Sequence, residues 1–412
     1  MNKYLVSKSF LIGIALVLGV FIHFGSLSTQ AADKEIVWAV IDDFSGPFSA
    51  IGQEGHNGIA LFLGENGGKV GPFKVKLIIR DSELKPAVGV RRLQEVLAQE
   101  KPVAVFSGNS SAVQLAIADI IGKTRGPLFW TEGWDTKLTG ANGNRYTFRY
   151  ASPNYTIARA SVTAFLDKNP DVKKVVTLML DYSWGYDFMD HLEVVLRERN
   201  IQILKKQFIP VTAIDASVFI TEAKHSGADA YITGLYGNLF AIGMRQVHEF
   251  GLKKDMKVLS ITATLNMLRG VGCEALEGIY LADHWNHSIG NKWSVDFTEK
   301  YRKRFGVIPA DFAAARYLTC QIMDKVMRET RSEDPRVLIP ALENYGEFDG
   351  PTGKEQMAGW YHQIDHNFLF MRGKSCKEKK YDDDLVEVIG GAKVYPKQGE
   401  KGFEFDRRKE PF

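Results

Sequence analysis

A regular alternation of two kinds of segment constrains this chain more than any other feature. Short runs of β-branched and apolar residues alternate with longer runs that carry apolar residues at helical spacing, over residues 36–130 and again over residues 174–261. In the second series, for example, the helix-like run Tyr186–Arg199 follows the strand-like run Lys174–Leu180. Strands that alternate with helices form mainly parallel sheets with helices on both faces. The sequence therefore predicts an α/β protein with two doubly wound, Rossmann-like lobes.

The first 31 residues have the pattern of a signal peptide. Lys3 and Lys8 form a basic start, residues 10–24 form an apolar run, and Thr29-Gln30-Ala31 gives a small-x-small cleavage site. A membrane span needs about 20 apolar residues, and this run is shorter. We therefore expect residues 1–31 to be removed and the mature chain to be exported.

The composition limits the classes of function. About 380 residues remain after the signal peptide, which suits two domains better than one. The formal net charge is +3, and loss of the two signal-peptide lysines leaves +1, so the chain is not basic enough for nucleic acid. Three cysteines, Cys273, Cys320 and Cys376, allow one disulfide at most and leave one thiol. We expect Cys320 to be a small buried apolar residue.

Residues 36–68 contain the order of elements that carries a family resemblance. A strand over Ile36–Ile41 is followed by a turn at Ser45-Gly46-Pro47, a helix over Gln53–Glu65 and a glycine stop at Gly67-Gly68. This order resembles the first βα unit of the periplasmic leucine/isoleucine/valine-binding proteins, the type I solute receptors of ABC importers. The resemblance implies a periplasmic protein that binds its ligand without transforming it and that uses no cofactor.

The resemblance covers about residues 34–373 and implies three crossover segments between the lobes. We expect these crossovers at Arg145–Pro153, at Gly278–Asp283 and at Phe348–Gly353. The first lobe is then residues 33–148 with 281–345, and the second lobe is residues 149–280 with 346–373. Residues 374–412 form a charged C-terminal extension beyond the usual end of the family, and the sequence assigns it no role.

Ligands of doubly wound sheets bind at the carboxyl ends of the strands, where this chain places a serine pair. Ser110 and Ser111 lie between a strand and the start of a helix, where hydroxyls and free backbone N–H groups form an anion site. Simple capping of the helix is the structural alternative. In amino-acid-binding relatives the matching serine holds the ligand carboxylate, and Ser111 aligns with it best.

Aromatic residues on other strand-end loops complete the predicted site. Tryptophan and tyrosine rings are more often part of a core, but their clustering on such loops favours a cleft. The resemblance implies backbone contacts from the first lobe and aromatic lids from the second. The expected ligand-binding residues besides the serines are Gly133, Trp134, Asp135, Tyr182, Trp184, Tyr236 and Thr264.

The chain departs from the amino-acid-binding relatives in one loop. Those relatives hold the ligand ammonium with a carboxylate after the strand placed here at Lys257–Ile261, but this sequence has Thr262–Asn266 without an acid. An unpaired ammonium in a closed cleft costs several kcal/mol. Glu132 and Asp135 are possible substitutes. We therefore rank an aromatic acid first among small carboxylated or polar ligands, with a branched-chain amino acid as the alternative.

Other functions remain open at this point. The same fold serves sensors that signal to a membrane receptor kinase, and a secreted α/β enzyme with an unrecognised site is a further alternative. Gly270–Ala275 fits G-x-G-x-x-A but does not directly follow a strand. The histidine pairs His284/His287 and His362/His366 lack a third ligand, so we expect no metal site. The expected partners are an ABC permease and its ATPase, with the receptor itself a monomer.

Overall fold

The structure, a computed structural model, describes residues 34–412, and the predicted signal peptide lies outside these residues. Two sheets with mainly parallel strands organise this part of the chain. Helices cover both sheets, and each sheet has its own buried apolar core. The predicted α/β class with two doubly wound lobes is confirmed.

The first lobe is built on a nine-stranded sheet with the order β12-β13-β14-β6-β5-β4-β1-β3-β2. Strands β6, β5, β4, β1 and β3 pair in parallel, and β12 and β13 form antiparallel hairpins at one edge. Its strands are β1 (Glu35–Asp42), β2 (Lys69–Val70), β3 (Phe73–Asp81), β4 (Ala104–Ser107), β5 (Leu128–Thr131), β6 (Thr147–Arg149), β12 (Glu347–Gly350), β13 (Gly353–Ala358) and β14 (Gln363–Asp365).

The second lobe is built on a seven-stranded sheet with the order β16-β15-β11-β10-β9-β7-β8. Strands β7 to β11 pair in parallel, and β15 and β16 close the sheet as antiparallel strands. Its strands are β7 (Lys174–Leu180), β8 (Gln202–Ile209), β9 (Ala230–Gly234), β10 (Lys257–Ser260), β11 (Tyr280–Asp283), β15 (Phe368–Gly373) and β16 (Val386–Ala392).

Helix α1 begins at Ser49, four residues before its predicted start, and ends at the predicted residue. Helix α1 stops at Glu65 before Gly67 and Gly68, which adopt φ values of 62° and 75° that other residues rarely tolerate. The helices are α1 (Ser49–Glu65), α2 (Pro86–Gln99), α3 (Ser111–Thr124), α4 (Asn154–Ile157), α5 (Thr163–Lys168), α6 (Ser183–Glu198), α7 (Ser217–Lys224), α8 (Asn238–Glu249), α9 (Leu252–Asp255), α10 (Leu265–Arg269), α11 (Cys273–Leu276), α12 (Lys292–Phe305), α13 (Asp311–Thr330) and α14 (Pro335–Glu343). A π-helical turn, Ala158–Val162, joins α4 to α5.

Strand pairing differs from the predicted lobe boundaries for two segments. Residues 281–283 belong to β11 of the second sheet, and residues 347–365 form strands of the first sheet. The second difference arises because β14 lies beside β6, where Gln363 faces Arg149 and accepts a hydrogen bond from its Nε at 2.7 Å. The chain therefore changes lobe at residues 150–153, 284–286 and 366–367, which we call the crossing segments.

The C-terminal extension is attached to both lobes. Its start is tied to the second lobe by a disulfide between Cys273 and Cys376, and β16 adds a strand to that sheet. Its middle reaches the crossing segments, where the Tyr395 hydroxyl lies 2.9 Å from Ser152 Oγ. Its end lies on the first lobe, with the ring of Phe412 3.7 Å from the Arg145 guanidinium.

The structure also bears on the state of the cysteines and on membrane-spanning segments. Cys320 is a free, buried thiol, as expected, and Cys273 and Cys376 form the one disulfide that the composition allows. Between residues 34 and 412, no helix combines the length and the apolar character that a membrane span requires.

Candidate functional site

A partly open cavity lies between the lobes at the carboxyl ends of the strands. Its empty volume is about 170 Å³, including space open to solvent, and the carboxyl-end position is where doubly wound sheets bind ligands. The first two crossing segments and helix α13 contribute to its wall. Its lining residues are Glu132, Trp134, Tyr150, Ala151, His284, Asp311, Phe312 and Ala315.

Trp134 is the centre of an aromatic cluster that joins the two lobes. Its ring centroid lies 5.2 Å from that of Tyr236 and 5.8 Å from that of Trp184, both in the second lobe. It also lies 4.9 Å from His284. Tyr236 in turn packs edge-on against Phe48 of the first lobe at 5.0 Å. The two lobes are therefore in contact across the cleft.

Four polar atoms of the cavity-lining residues have no hydrogen-bond partner among residues 34–412. They are Glu132 Oε1, Trp134 Nε1, His284 Nε2 and Asp311 Oδ1, and all four residues are buried. Buried polar atoms without partners are uncommon, because each costs free energy that a hydrogen bond would recover. Two acceptors and two donors beside one cavity are what a polar ligand would satisfy.

A buried charge cluster lies next to this cavity in the first lobe. Arg316 of α13 donates from Nη2 to Asp42 at the end of β1 over 3.3 Å, and its Nε lies 3.9 Å from Glu132. Its Nε and Nη1 donate no hydrogen bond to any described residue. Burial raises the pKa of Glu132 to about 7, and the Arg316 charge opposes that rise. The guanidinium thus keeps unused donors beside Glu132, which lines the cavity.

A second cluster brings three acids together where the lobes meet. Asp283 ends β11, Asp311 begins α13, and Glu54 lies on α1. Burial raises the pKa of each, to about 7 for Glu54, and the charges of Asp283 and Glu54 raise that of Asp311 further. Asn266 of the second lobe donates a hydrogen bond to Glu54. The loop after β10 lacks an acid, but the cleft as a whole does not.

The two predicted serines have different roles in the structure. Ser110 is the N-cap of α3, and its Oγ accepts from the backbone N–H of Val113 at 3.4 Å. Ser111 Oγ accepts from the backbone N–H groups of Trp134 and Asp135, each at 3.2 Å. Ser111 therefore holds the loop that carries the central tryptophan.

The predicted residues of the loop that carries Trp134 also have different roles. Trp134 lines the cavity. Gly133 is packed so closely that a Cβ there would lie 2.5 Å from a Leu138 side-chain carbon. Asp135 caps the following turn by accepting from the backbone N–H of Lys137 at 2.9 Å. Burial, with the nearby charge of Asp187, raises the pKa of Asp135 to about 7.

The predicted second-lobe residues lie around the cavity but do not line it. Trp184 and Tyr236 pack against Trp134. Tyr182 is half-buried and its ring centroid lies 6.0 Å from that of Trp184. Thr264 is buried at the start of α10 with its Oγ1 unpartnered. They form a second layer around the central ring.

Sequence reasoning missed most of the residues that line the cavity. Tyr150, His284 and Asp311 come from crossing segments and a helix start that are far apart in the sequence. Two local signals were available. Asp283 ends an apolar strand that His284 directly follows, and Arg316 interrupts an apolar stretch of α13. Charged residues at such positions rarely become buried without a functional or pairing role.

The predicted histidine pairs make other contacts. His287 Nε2 lies 2.9 Å from the Tyr381 hydroxyl, and His362 Nε2 lies 3.0 Å from Glu343 Oε1. His366 stacks on Tyr150. In the part of the chain that the structure describes, no three histidine, cysteine or acidic side chains are grouped so that they could hold a metal ion.

Comparison with known proteins gives consistent relatives. The Leu/Ile/Val-binding protein homolog 7 of Brucella abortus is 21% identical, over 88% of this chain and 93% of the relative. The amino acid ABC transporter substrate-binding protein from Pseudomonas fluorescens Pf-5 has a TM-score of 0.83 at 25% identity, over 90% of this chain and 99% of that one.

A second solved structure is similar in fold. It is a solute-binding protein of an ABC transporter from Rhodopseudomonas palustris BisB5 in complex with 3,4-dihydroxybenzoic acid, with a TM-score of 0.79 and 20% identity over 89% of this chain and 99% of that one. The family model described as periplasmic binding protein matches residues 35–380. The chain belongs to the periplasmic binding protein family, as a substrate-binding protein of an ABC transporter.

Proposed function

We propose that this protein captures a small carboxylated or polar molecule between its lobes and delivers it to an ABC permease and ATPase in the membrane. The inter-lobe cavity carries the proposal, because it has aromatic walls and its lining residues carry four unpartnered polar atoms.

An aromatic acid is the first candidate. The rings of Trp134, Tyr150 and Phe312 line the cavity and offer flat apolar surfaces to a ring. Arg316 keeps two nitrogens without hydrogen bonds beside Glu132, and a guanidinium pairs well with a carboxylate. The structurally similar protein from Rhodopseudomonas palustris binds 3,4-dihydroxybenzoic acid, which supports the same ligand class here.

A branched-chain amino acid is the second candidate, and the three-acid cluster favours it. Asp283 and Asp311 are neighbouring buried carboxyls whose pKa values are both raised by burial, and an ammonium group would pair with them in their ionised form. This observation weakens the inference from the acid-free loop after β10. It leaves the two ligand classes to be separated by experiment.

The test begins with protein purified without refolding, whose retained ligand is identified by native mass spectrometry. A thermal-shift panel of aromatic acids, branched-chain amino acids, amides and short aliphatic acids follows, because a ligand bound only by the folded state raises the melting temperature. Stabilisation by aromatic acids is expected. Stabilisation by leucine, isoleucine or valine alone would favour the second candidate.

Two further results would move the protein to another functional class. Chemical conversion of the bound ligand, followed by nuclear magnetic resonance, would indicate an enzyme. Genes for a receptor kinase beside this one, in place of genes for permease and ATPase subunits, would indicate a sensor. Release of bound ligand to vesicles that contain the permease and ATPase is the outcome expected of a transport receptor.

A further inference from the structure

His284 occupies an unusual position because it belongs to both the hinge and the ligand cavity. It lies in the second crossing segment and lines the cavity. The backbone N–H of Ser152, in the first crossing segment, donates to His284 Nδ1 at 3.2 Å. The Ser152 hydroxyl lies 3.3 Å from Nε2 of His366, in the third crossing segment. One hydrogen-bonded group therefore connects all three crossing segments.

This geometry fixes the tautomer of His284. A ring nitrogen that accepts from a backbone N–H carries no proton, so the proton of the neutral imidazole must lie on Nε2. Burial lowers the pKa of His284 well below its usual range, with smaller effects from His366 and Arg149, so the ring is neutral at neutral pH. His284 thus has one defined donor, Nε2–H.

Within residues 34–412, no protein group accepts this donor. His284 Nε2 is buried and without a partner, while the ring lies 4.9 Å from Trp134 and 5.0 Å from Phe368 by ring centroids. Those neighbours are aromatic and offer no acceptor oxygen. A buried N–H without an acceptor costs about 1–3 kcal/mol, so a ligand that supplies an oxygen atom recovers this free energy.

We propose that His284 determines ligand specificity by donating from Nε2–H to an acceptor oxygen of the bound molecule. This inference rests on the proposed function of the cavity. The ligand then carries a carboxylate, a carbonyl or a hydroxyl oxygen at that point, and molecules whose polar groups are only amines are rejected. Because the other ring nitrogen holds Ser152, the same contact joins the ligand directly to the crossing segments.

Two substitutions separate the cavity role of His284 from its hinge role. In His284→Asn the amide reaches the position of Nδ1, so it can accept from Ser152 but cannot donate to the ligand. In His284→Gln the amide reaches the position of Nε2, so it can donate to the ligand but does not support Ser152. Each variant therefore keeps one of the two hydrogen bonds assigned to His284 and loses the other.

The probes are benzoate, which has acceptor oxygens, and benzylamine, which has none. We expect His284→Asn to keep the melting temperature of the unliganded protein and to bind benzoate about 10- to 100-fold more weakly. His284→Gln is expected to melt at a lower temperature and to retain most of the benzoate affinity. Equal benzoate binding by wild type and His284→Asn, or binding of benzylamine as tight as that of benzoate, would overturn the proposal.

Nuclear magnetic resonance of ¹⁵N-labelled imidazoles tests the proposal independently of any ligand assumption. In the unliganded protein the proton of His284 is expected on Nε2, and a proton on Nδ1 would refute the assignment. Ligand binding should then shift the Nε2 resonance and leave that of Nδ1 nearly unchanged. A wild-type protein that binds neither benzoate nor the ligand found after purification would disprove the proposed function. The position of the proton on His284 in the unliganded protein is a separate result and does not depend on that outcome.

Discussion

At the scale of single residues, the cleft depends on hydroxyls and acids that hold its loops. Ser111 shows this best, because its Oγ accepts from the backbone of both Trp134 and Asp135. The sequence predicted a serine that binds ligand directly. The structure shows one that positions the central ring of the cavity, and the adjacent Ser110 is the helix cap.

The two serines therefore give a matched pair of variants. Ser111→Ala should weaken ligand binding by about 1–3 kcal/mol, because two backbone donors lose their acceptor and the Trp134 loop shifts. Ser110→Ala should lower the free energy of unfolding by about 0.5–2 kcal/mol through loss of the cap and change affinity less. Isothermal titration and chemical denaturation measure the two effects. The opposite pattern would show that Ser110 is the ligand contact.

A buried glutamate makes stability depend on pH. Glu355 accepts from the backbone N–H and the hydroxyl of Thr352, and burial raises its pKa to about 8. Because the pKa is raised in the folded state, the stabilisation is complete below the usual pKa and is lost as pH rises towards 8. Glu355→Gln cannot ionise, so it should gain stability relative to wild type between about pH 5 and pH 8, by at most about 1.4 kcal/mol per unit.

The measurement is urea denaturation of both proteins at several pH values. Glu347→Gln, on the exposed start of β12, serves as the matched control. A stability difference between Glu355→Gln and wild type that stays constant across the range would contradict the prediction.

At the scale of elements, local signals predicted most helices and strands. The pairing of strands that are far apart in the sequence could not be predicted. Helix α2 begins at Pro86, because proline is favoured at the first turn of a helix. Strand β7 has its predicted bounds, Lys174–Leu180, because the run is apolar and β-branched. The lobe to which residues 347–365 belong depends on a distant partner, β6, and no local pattern reports it.

The same reason explains why the candidate site was only partly predicted. Trp134 follows a strand, and strand-end loops are recognisable in sequence. Tyr150, His284 and Asp311 reach the cavity from separate crossing segments and a helix start. These three residues come together because of how the lobes are arranged, and that arrangement is set by long-range packing.

The disulfide between Cys273 and Cys376 allows a prediction about how the C-terminal extension affects the stability of the protein. Cys273 and Cys376 are separated by 103 residues, and removal of a bond that closes so long a loop should lower the free energy of unfolding by about 2–5 kcal/mol. A reducing agent should therefore lower the melting temperature of wild type and of Cys320→Ala, but not of the Cys273→Ser/Cys376→Ser double variant. Equal sensitivity of all three proteins would show that the bond does not contribute.

At the scale of the whole molecule, the contacts across the cleft predict closure on ligand binding. Phe48 meets Tyr236, and Trp134 meets Trp184, so the described arrangement is closed. A hinge rotation about the crossing segments would separate these pairs in the absence of ligand. Small-angle scattering should show the radius of gyration falling as ligand is added. A saturating ligand that leaves it unchanged would count against hinge closure.

Both ends of the described chain lie on the first lobe. Lys34 forms an ion pair with Glu333 just before β1, and Phe412 packs against Arg145. Movement of the second lobe therefore leaves the separation of the two ends unchanged. Energy transfer between fluorophores fused to the two termini would therefore not change when ligand binds. A label at the C-terminus paired with one at Val218, which is 65% exposed on the second lobe, would turn the protein into an optical sensor of its own ligand.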